Sequence, residues 1–289
     1  MTEMKEFEIS LNNFIEPLKQ KKKGIDSFIK ELELLKKLLK EPVKNAFLVS
    51  HLIPKIESEL IGTEYYEALS SILVSVHEDN KKNQEEFIYV FGKELKEVFE
   101  KEGIAITGNY PDFSVKFCHF KIDFKSGNAS LYFARELVKS KIKLTAKNIL
   151  NAYKEIDKEI VGRPFNGNEF IKLLYDAYQR ALLLSGMEQS KRLNIVSVLK
   201  ELALLMQSTS FIKDPRKENY RSYSRAYFSY DLFRLKQSNM LEYNGKRLHL
   251  GTATIDYADK DNHSIFIVDE FSGGNYIMSL SFMAPSETK

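Results

Sequence analysis

Apolar residues recur every three to four positions through most of the first hundred residues, and from Ile104 the repeat shortens to two. A chain that changes period in this way has to place helices and sheet in separate blocks of an α+β fold. From Ile25 to Leu39 the residues Ile25, Phe28, Ile29, Leu32, Leu35 and Leu39 share a helical face. Asp26 and Glu31 come early and Lys36, Lys37 and Lys40 late, a charge order that suits the helix dipole. Pro42 ends this helix. A second is expected from about Val43 to Leu52, where Pro54 interrupts, and a third from about Thr63 through Tyr66, Leu69, Ile72, Leu73 and Val76. The polar run His77 to Gln84 reads as a connection, after which Glu85 to Glu102 resumes helix and Gly103 closes it.

The period-two block is densest from Phe113 to Phe124 (FSVKFCHFKIDF), which reads as one strand. Lys125 to Asn128 turns the chain and Ala129 to Phe133 returns it. Helices follow: Thr145 caps one through Ile149, Leu150, Tyr153 and Ile156, and Asn168 caps another through Phe170, Leu174, Tyr178 and Leu182. Leu193 to Met206 is apolar on nearly every side and so belongs in a core. Strands are expected at Ser264 to Val268 and Tyr276 to Phe282, joined by DEFSGGN.

Between these lies Asp214 to Thr254, which holds five of the nine arginines: Arg216, Arg221, Arg225, Arg234 and Arg247. Ser222 or Ser224 can cap a helix running to about Lys236, and Asn244-Gly245 between LEY and KRLHL is a strong short signal for a hairpin. A buried helix, a capped helix and a basic hairpin in succession resemble a winged helix, in which the second helix enters a DNA major groove and Lys246 and Arg247 at the wing tip touch phosphate. The helix itself resists that use. Phe228, Leu232 and Leu235 form one apolar face while Ala226, Tyr230 and Phe233 form another roughly opposite, leaving a narrow stripe of Arg225, Ser229 and Lys236 for solvent or phosphate. Contact with protein is the better expectation for such a helix than base reading.

Charge is divided unevenly. Residues 1–103 carry 16 lysines, no arginine and 20 acids, whereas residues 211–249 carry nine basic residues against four acids. The positive C-terminal part can meet phosphate or an acidic protein surface. The single cysteine, Cys118, excludes an internal disulfide and a CxxC zinc site, and no apolar run approaches the ~18 residues of a membrane span. MTEMKEFEIS has neither the basic nor the apolar part of a signal peptide, so a reducing cytoplasm is the expected compartment.

One catalytic pattern is present in letters. Pro111-Asp112 followed by Asp123-Phe124-Lys125 matches the PD-(D/E)xK nuclease signature, in which two acids hold a divalent metal and the lysine orients the attacking water. If residues 113–122 form one strand, Asp112 and Asp123 lie about 36 Å apart and cannot share an ion. The histidines (His51, His77, His119, His249, His263) make no HxxxH or HExxH pair, and no GxGxxG, GxxxxGK[ST] or GxSxG occurs. No metal, no cofactor and no catalytic residue are expected.

The runs YPDFSVKFCHFKIDFKSGNASLYFARE, YRSYSRAYFSYDLFRL, NGKRLHLGTAT and GNYIMSLSF, covering most of residues 104–283, resemble accessory proteins that accompany SMC-type ATPases in bacterial anti-phage defence operons of the Lamassu type. The resemblance is loose at the N-terminus. It implies a non-enzymatic subunit that binds the head or neck of an SMC-like ATPase and helps hold a nuclease effector subunit inactive until foreign DNA is sensed.

The expected organisation is a mainly helical α+β chain. An N-terminal helical region (1–103) precedes a small antiparallel β-hairpin sheet (104–139), a second helical region (140–207) and a winged-helix-like C-terminal region (208–289). The expected function is antiviral defence as an interaction subunit, with double-stranded DNA as a further candidate partner through Arg221, Arg225, Lys236, Lys246 and Arg247. The alternatives are a metal-dependent nuclease using Asp112, Asp123 and Lys125, and a winged-helix transcription regulator.

Overall fold

The computed structural model describes residues 2–186, 191–258, 263–270 and 273–284, with side chains of the first helix from residue 12 onward, residue 14 excepted. The chain divides into two units, residues 1–97 with 123–127, and residues 98–122 with 128–289. The fold is mixed α+β, mainly helical, with an antiparallel sheet in the middle of the sequence. No described helix is long and apolar enough to cross a membrane.

The first unit is built from α1 (Thr2–Leu38), α2 (Ala46–Leu60) and α3 (Tyr66–Glu100). Helix α1 begins well before Ile25, and Pro54 sits inside α2 instead of ending it. The expected connection from His77 to Gln84 is absent: α3 runs through it unbroken for 35 residues. The stretch contains no Gly or Pro, and Glu, Lys and Gln are good helix formers, so polarity alone does not break the helix. Within it Asn80 is buried and donates from Nδ2 to the Ala46 carbonyl at 2.8 Å, tying α3 to the start of α2.

The core of this unit is Leu35, Val49, Leu52, Ile53, Ile56, Leu60 and Leu73, with Phe28, Leu32 and Leu69 packed on it. The segment 123–127 belongs here as well. Phe124 stacks on Phe47 at 4.7 Å and meets Phe87 and Phe91 edge-on at 5.1 and 5.3 Å.

The second unit opens with a five-stranded meander: β1 (Thr107–Asn109), β2 (Asp112–Val115), β3 (Cys118–Asp123), β4 (Asn128–Phe133) and β5 (Glu136–Lys143). The single strand expected from Phe113 to Phe124 is therefore two. Lys116, at φ 48°, turns the chain where no Gly or Asn signals it, and β2 pairs antiparallel with β3, setting Asp112 opposite Lys121. The sheet also extends past residue 139, to Lys143. Phe113, Val115, Phe120, Ile122, Leu131 and Phe133 fill one face, against which α4 (Ala146–Ile156) packs from behind its Thr145 cap.

A π-helical turn (Asp157–Val161) leads to α5 (Gly167–Ser185), capped by Asn166 and not by Asn168. Next come β6 (Leu193–Asn194), α6 (Ile195–Leu205), the short α7 (Thr209–Lys213) and α8 (Arg225–Gln237), whose cap is Ser224. The strands β7 (Glu242–Tyr243), β8 (Lys246–Thr252), β9 (Ile265–Val268) and β10 (Gly274–Met283) follow. Asn244 and Gly245 turn β7 into β8 at φ 52° and 67°, as a type I′ hairpin requires. Strand β10 lies between β6 and β8 and also pairs with β9. Phe271 and Ser272 of the DEFSGGN connection lie outside the described residues.

Candidate functional site

Helix α8 is the centre of the C-terminal half. Phe228, Leu232 and Leu235 join the core formed by α5, α6 and the second sheet. On the other side Tyr230 and Phe233 lie 5.5 and 5.2 Å from Phe117, and Tyr230 meets Phe133 edge-on at 5.8 Å. Both apolar faces expected of this helix are thus covered. The solvent stripe is narrower than expected, because Ser229 is fully buried and its hydroxyl accepts from the Val268 amide.

Arg225 is likewise engaged. Its Nε donates to Glu136 at 2.7 Å, linking α8 to β5, and its Nη2 donates to the Ser264 carbonyl. Arg221 is held through its backbone: its N–H donates to Gln207 Oε1 and its carbonyl accepts from Gln207 Nε2, each at 2.9 Å. Its side chain is left exposed at the rim of a cleft of about 560 Å³. Lys236 is exposed at the far end of the helix and borders a different cleft. At the hairpin Arg247 meets Glu242 across the strands at 3.2 Å, and Lys246 stands opposite Tyr243. Arg221 and Lys236 therefore do not converge on one site.

The floor of the Arg221 cleft holds a group of charges that the sequence reading did not single out. Asp231 is 1% exposed. Its Oδ1 accepts from Arg163 Nη2 at 2.7 Å and from Arg234 Nη2, and its Oδ2 accepts from the Tyr223 hydroxyl at 2.7 Å. Arg234 also donates to the Arg163 carbonyl at 2.7 Å. The guanidiniums lie over rings, Arg163 4.8 Å from Tyr227 and Arg234 4.3 Å from Phe165. Burial, then the Asp231 carboxylate, push the Tyr223 hydroxyl well above the usual tyrosine range. Burial and the Glu159 carboxylate that accepts its hydrogen bond push the Tyr227 hydroxyl up to about 12. Both phenols stay protonated near neutral pH and act as donors.

Comparison with family models, curated proteins and solved structures returns no match.

Every oxygen of the buried carboxylate has a donor, and two cations share its charge, which is the arrangement of a fixed clamp between α8 and the loop after the π-turn. A three-residue spacing from Asp231 to Arg234 on a helix with two apolar faces is the one local sign of it. Arg163 lies 68 residues upstream and gives none.

The nuclease letters fall elsewhere. The 36 Å separation is overturned, since Asp112 faces Lys121 and Asp123 lies two residues further along β3. Asp123 Oδ1 accepts from the amides of Lys125 at 2.9 Å and Ser126 at 3.3 Å, so it caps the turn that follows. The Ser126 side-chain hydrogen bond and these amides hold its carboxyl below the usual aspartate value. Among the described residues no group of three or more His, Cys, Asp or Glu is placed to hold a metal ion.

Proposed function

We propose that this chain is a non-catalytic interaction subunit of an SMC-type ATPase complex in bacterial anti-phage defence, docking on a helical segment of the ATPase and helping to restrain a partner nuclease. The observation that carries the reading is the open side of α1. From Asn12 to Ser27 every side chain described is exposed. Within this stretch and just beyond it, Ile15, Leu18, Ile25 and Ile29 are 40%, 64%, 59% and 48% exposed. Their spacing, with Lys22 between, is a heptad seam: Ile15, Lys22 and Ile29 at one core position, Leu18 and Ile25 at the other. Leu32 continues the seam into the packed core of the first unit.

A seam of this kind is complementary to another helix. Most helical stability in proteins comes from packing an apolar face, and here that face lacks a cover among the described residues. Lys22 sits in the middle of the seam and Lys19, paired with Glu16, Lys21 and Lys23 flank it, so the fitting partner is a helix with apolar core positions and acidic flanks. The coiled-coil neck of an SMC-type ATPase is a partner of that form.

The C-terminal half agrees with docking more than with reading DNA. The order α5, β6, α6, α8, β8, β10, with β10 between β6 and β8, supports a winged-helix reading, yet α8 is enclosed where a recognition helix would be bare. Arg221 and Lys236 keep exposed side chains for sequence-independent phosphate contact.

Expression of the native operon with this chain tagged tests the proposal. The ATPase is expected to co-purify, and Leu18→Glu with Ile25→Glu is expected to release it without altering the chain's own melting. Recovery of the wild-type chain alone would overturn the reading.

A further inference from the structure

The solvent side of the central sheet borders a second cleft, of about 550 Å³, which the docking reading does not use. Strands β3 and β4 put Cys118, Phe120, Leu131 and Phe133 on the inner face, so His119 and Tyr132 stand on the outer one. Their rings lie parallel, 4.6 Å apart at 7°. The other wall is Phe266 and Tyr276, register partners on β9 and β10 with rings 5.2 Å apart. The Arg135 guanidinium lies over both, 4.5 and 5.5 Å from their centroids.

The cations come from hairpin tips. Lys116 has φ 48°, and Ala134 and Arg135 have φ 48° and 65°, a left-handed backbone in which Gly or Asn is the easier residue. All three line the cleft. Strained positions of this kind persist where the surrounding structure fixes them and gather at functional sites. Among the described residues neither Lys116 nor Arg135 forms an ion pair, and no acid lines the cleft. Asp112 acts on His119 through space, and in the sheet it stands opposite Lys121.

We propose that this cleft binds unpaired nucleobases with their phosphates, as a single nucleic-acid strand: Tyr132 and His119 offer the stacking surface, and Lys116 and Arg135 take the phosphates. Partly exposed rings on an antiparallel sheet, beside cations that form no ion pair among the described residues, are the chemistry by which single strands are held without regard to sequence. A duplex hides its bases, and an acidic peptide would use the cations while leaving the ring pair idle. The site is independent of the α1 seam.

Binding of the purified full chain to labelled oligo-dT, oligo-U, the corresponding duplex, an acidic peptide and ATP, followed by fluorescence anisotropy or competition, decides the matter. The single strands are expected to bind more tightly than the duplex. Tyr132→Ala is expected to weaken them by about 5- to 100-fold and Tyr132→Phe to leave them nearly unchanged. Lys116→Glu and Arg135→Glu, both at exposed positions, should each flatten the salt dependence. ATP binding lost in Tyr132→Ala without strand binding would keep the base-and-phosphate chemistry but assign it to a free nucleotide. The proposal is overturned if neither strand nor nucleotide binds, if duplex or peptide binds as well as single strand, or if Tyr132→Ala and the two charge reversals leave binding unchanged.

Discussion

Helices α1 and α8 both carry more apolar surface than a single stripe needs, and they dispose of it in opposite ways. In α8 the two faces are each taken up inside its own unit, by the core residues on one side and by Phe117 and Phe133 on the other, and the polar groups left between them are bound by Glu136, Arg163 and the Val268 amide. In α1 the seam residues Ile15, Leu18, Ile25 and Ile29 stay exposed. Apolar content alone therefore does not tell an enclosed helix from one with an exposed face. What separates them is whether the second face finds a complement within the same chain.

The contrast can be broken most forcefully at Asp231. Replacing it with Ala leaves the partly buried Arg163 and Arg234 without their carboxylate and is expected to cost about 3 kcal/mol in denaturant unfolding; a loss under about 1 kcal/mol would mean that the clamp does not fix α8. The next comparison sets Phe228→Ala, expected to cost about 3–5 kcal/mol from a fully buried position, against Ile25→Glu, expected to change stability by about 0.5 kcal/mol or less while reducing binding of the partner. Equal effects would erase the distinction. Ser224→Ala removes the hydroxyl that accepts from the Tyr227 amide and is expected to cost about 1 kcal/mol, fraying α8 from its exposed end.

The smallest effect concerns protonation. Burial lowers the His119 pKa from 6.5, with Arg135 and Lys121 pushing the same way and Asp112 opposing. Since the folded state resists the proton, the unfolded state binds more of it as pH falls below about 6.5, and stability declines there. Imidazole resonances followed by NMR should titrate below the ordinary histidine value, lower still in Asp112→Asn and higher in Arg135→Gln. A titration at or above the ordinary value would contradict the half-buried position stacked on Tyr132.

What could be read from the chain was what is set locally. The two faces of α8, its Ser224 cap and the Asn244-Gly245 hairpin are each encoded within a few residues, and each stands in the structure. The turn at Lys116-Phe117 is not local. The Ala134 amide, 17 positions away, donates to the Phe117 carbonyl at 3.1 Å, so the sheet holds a turn that the residues themselves do not favour. The same holds for α3, where Asn80 reads as a loop residue until the Ala46 carbonyl is beside it, and for Arg221, whose backbone is fixed by Gln207. The exposed seam of α1 was partly legible as Ile25 and Ile29, but its openness depends on which neighbours are missing, and no periodicity reports that.

The segment 123–127 carries a consequence for how this chain can change over generations. The backbone passes between the two blocks at residues 97–98, 122–123 and 127–128, so the helical block is not a cassette that recombination can add or drop at one joint. A descendant that lost residues 1–97 would keep Phe124 but not Phe47, Phe87 or Phe91, the rings that now surround it. Helix α1 and the strands are thereby inherited together, and any change in what the exposed seam can pack against has to arise by substitution along α1 in place.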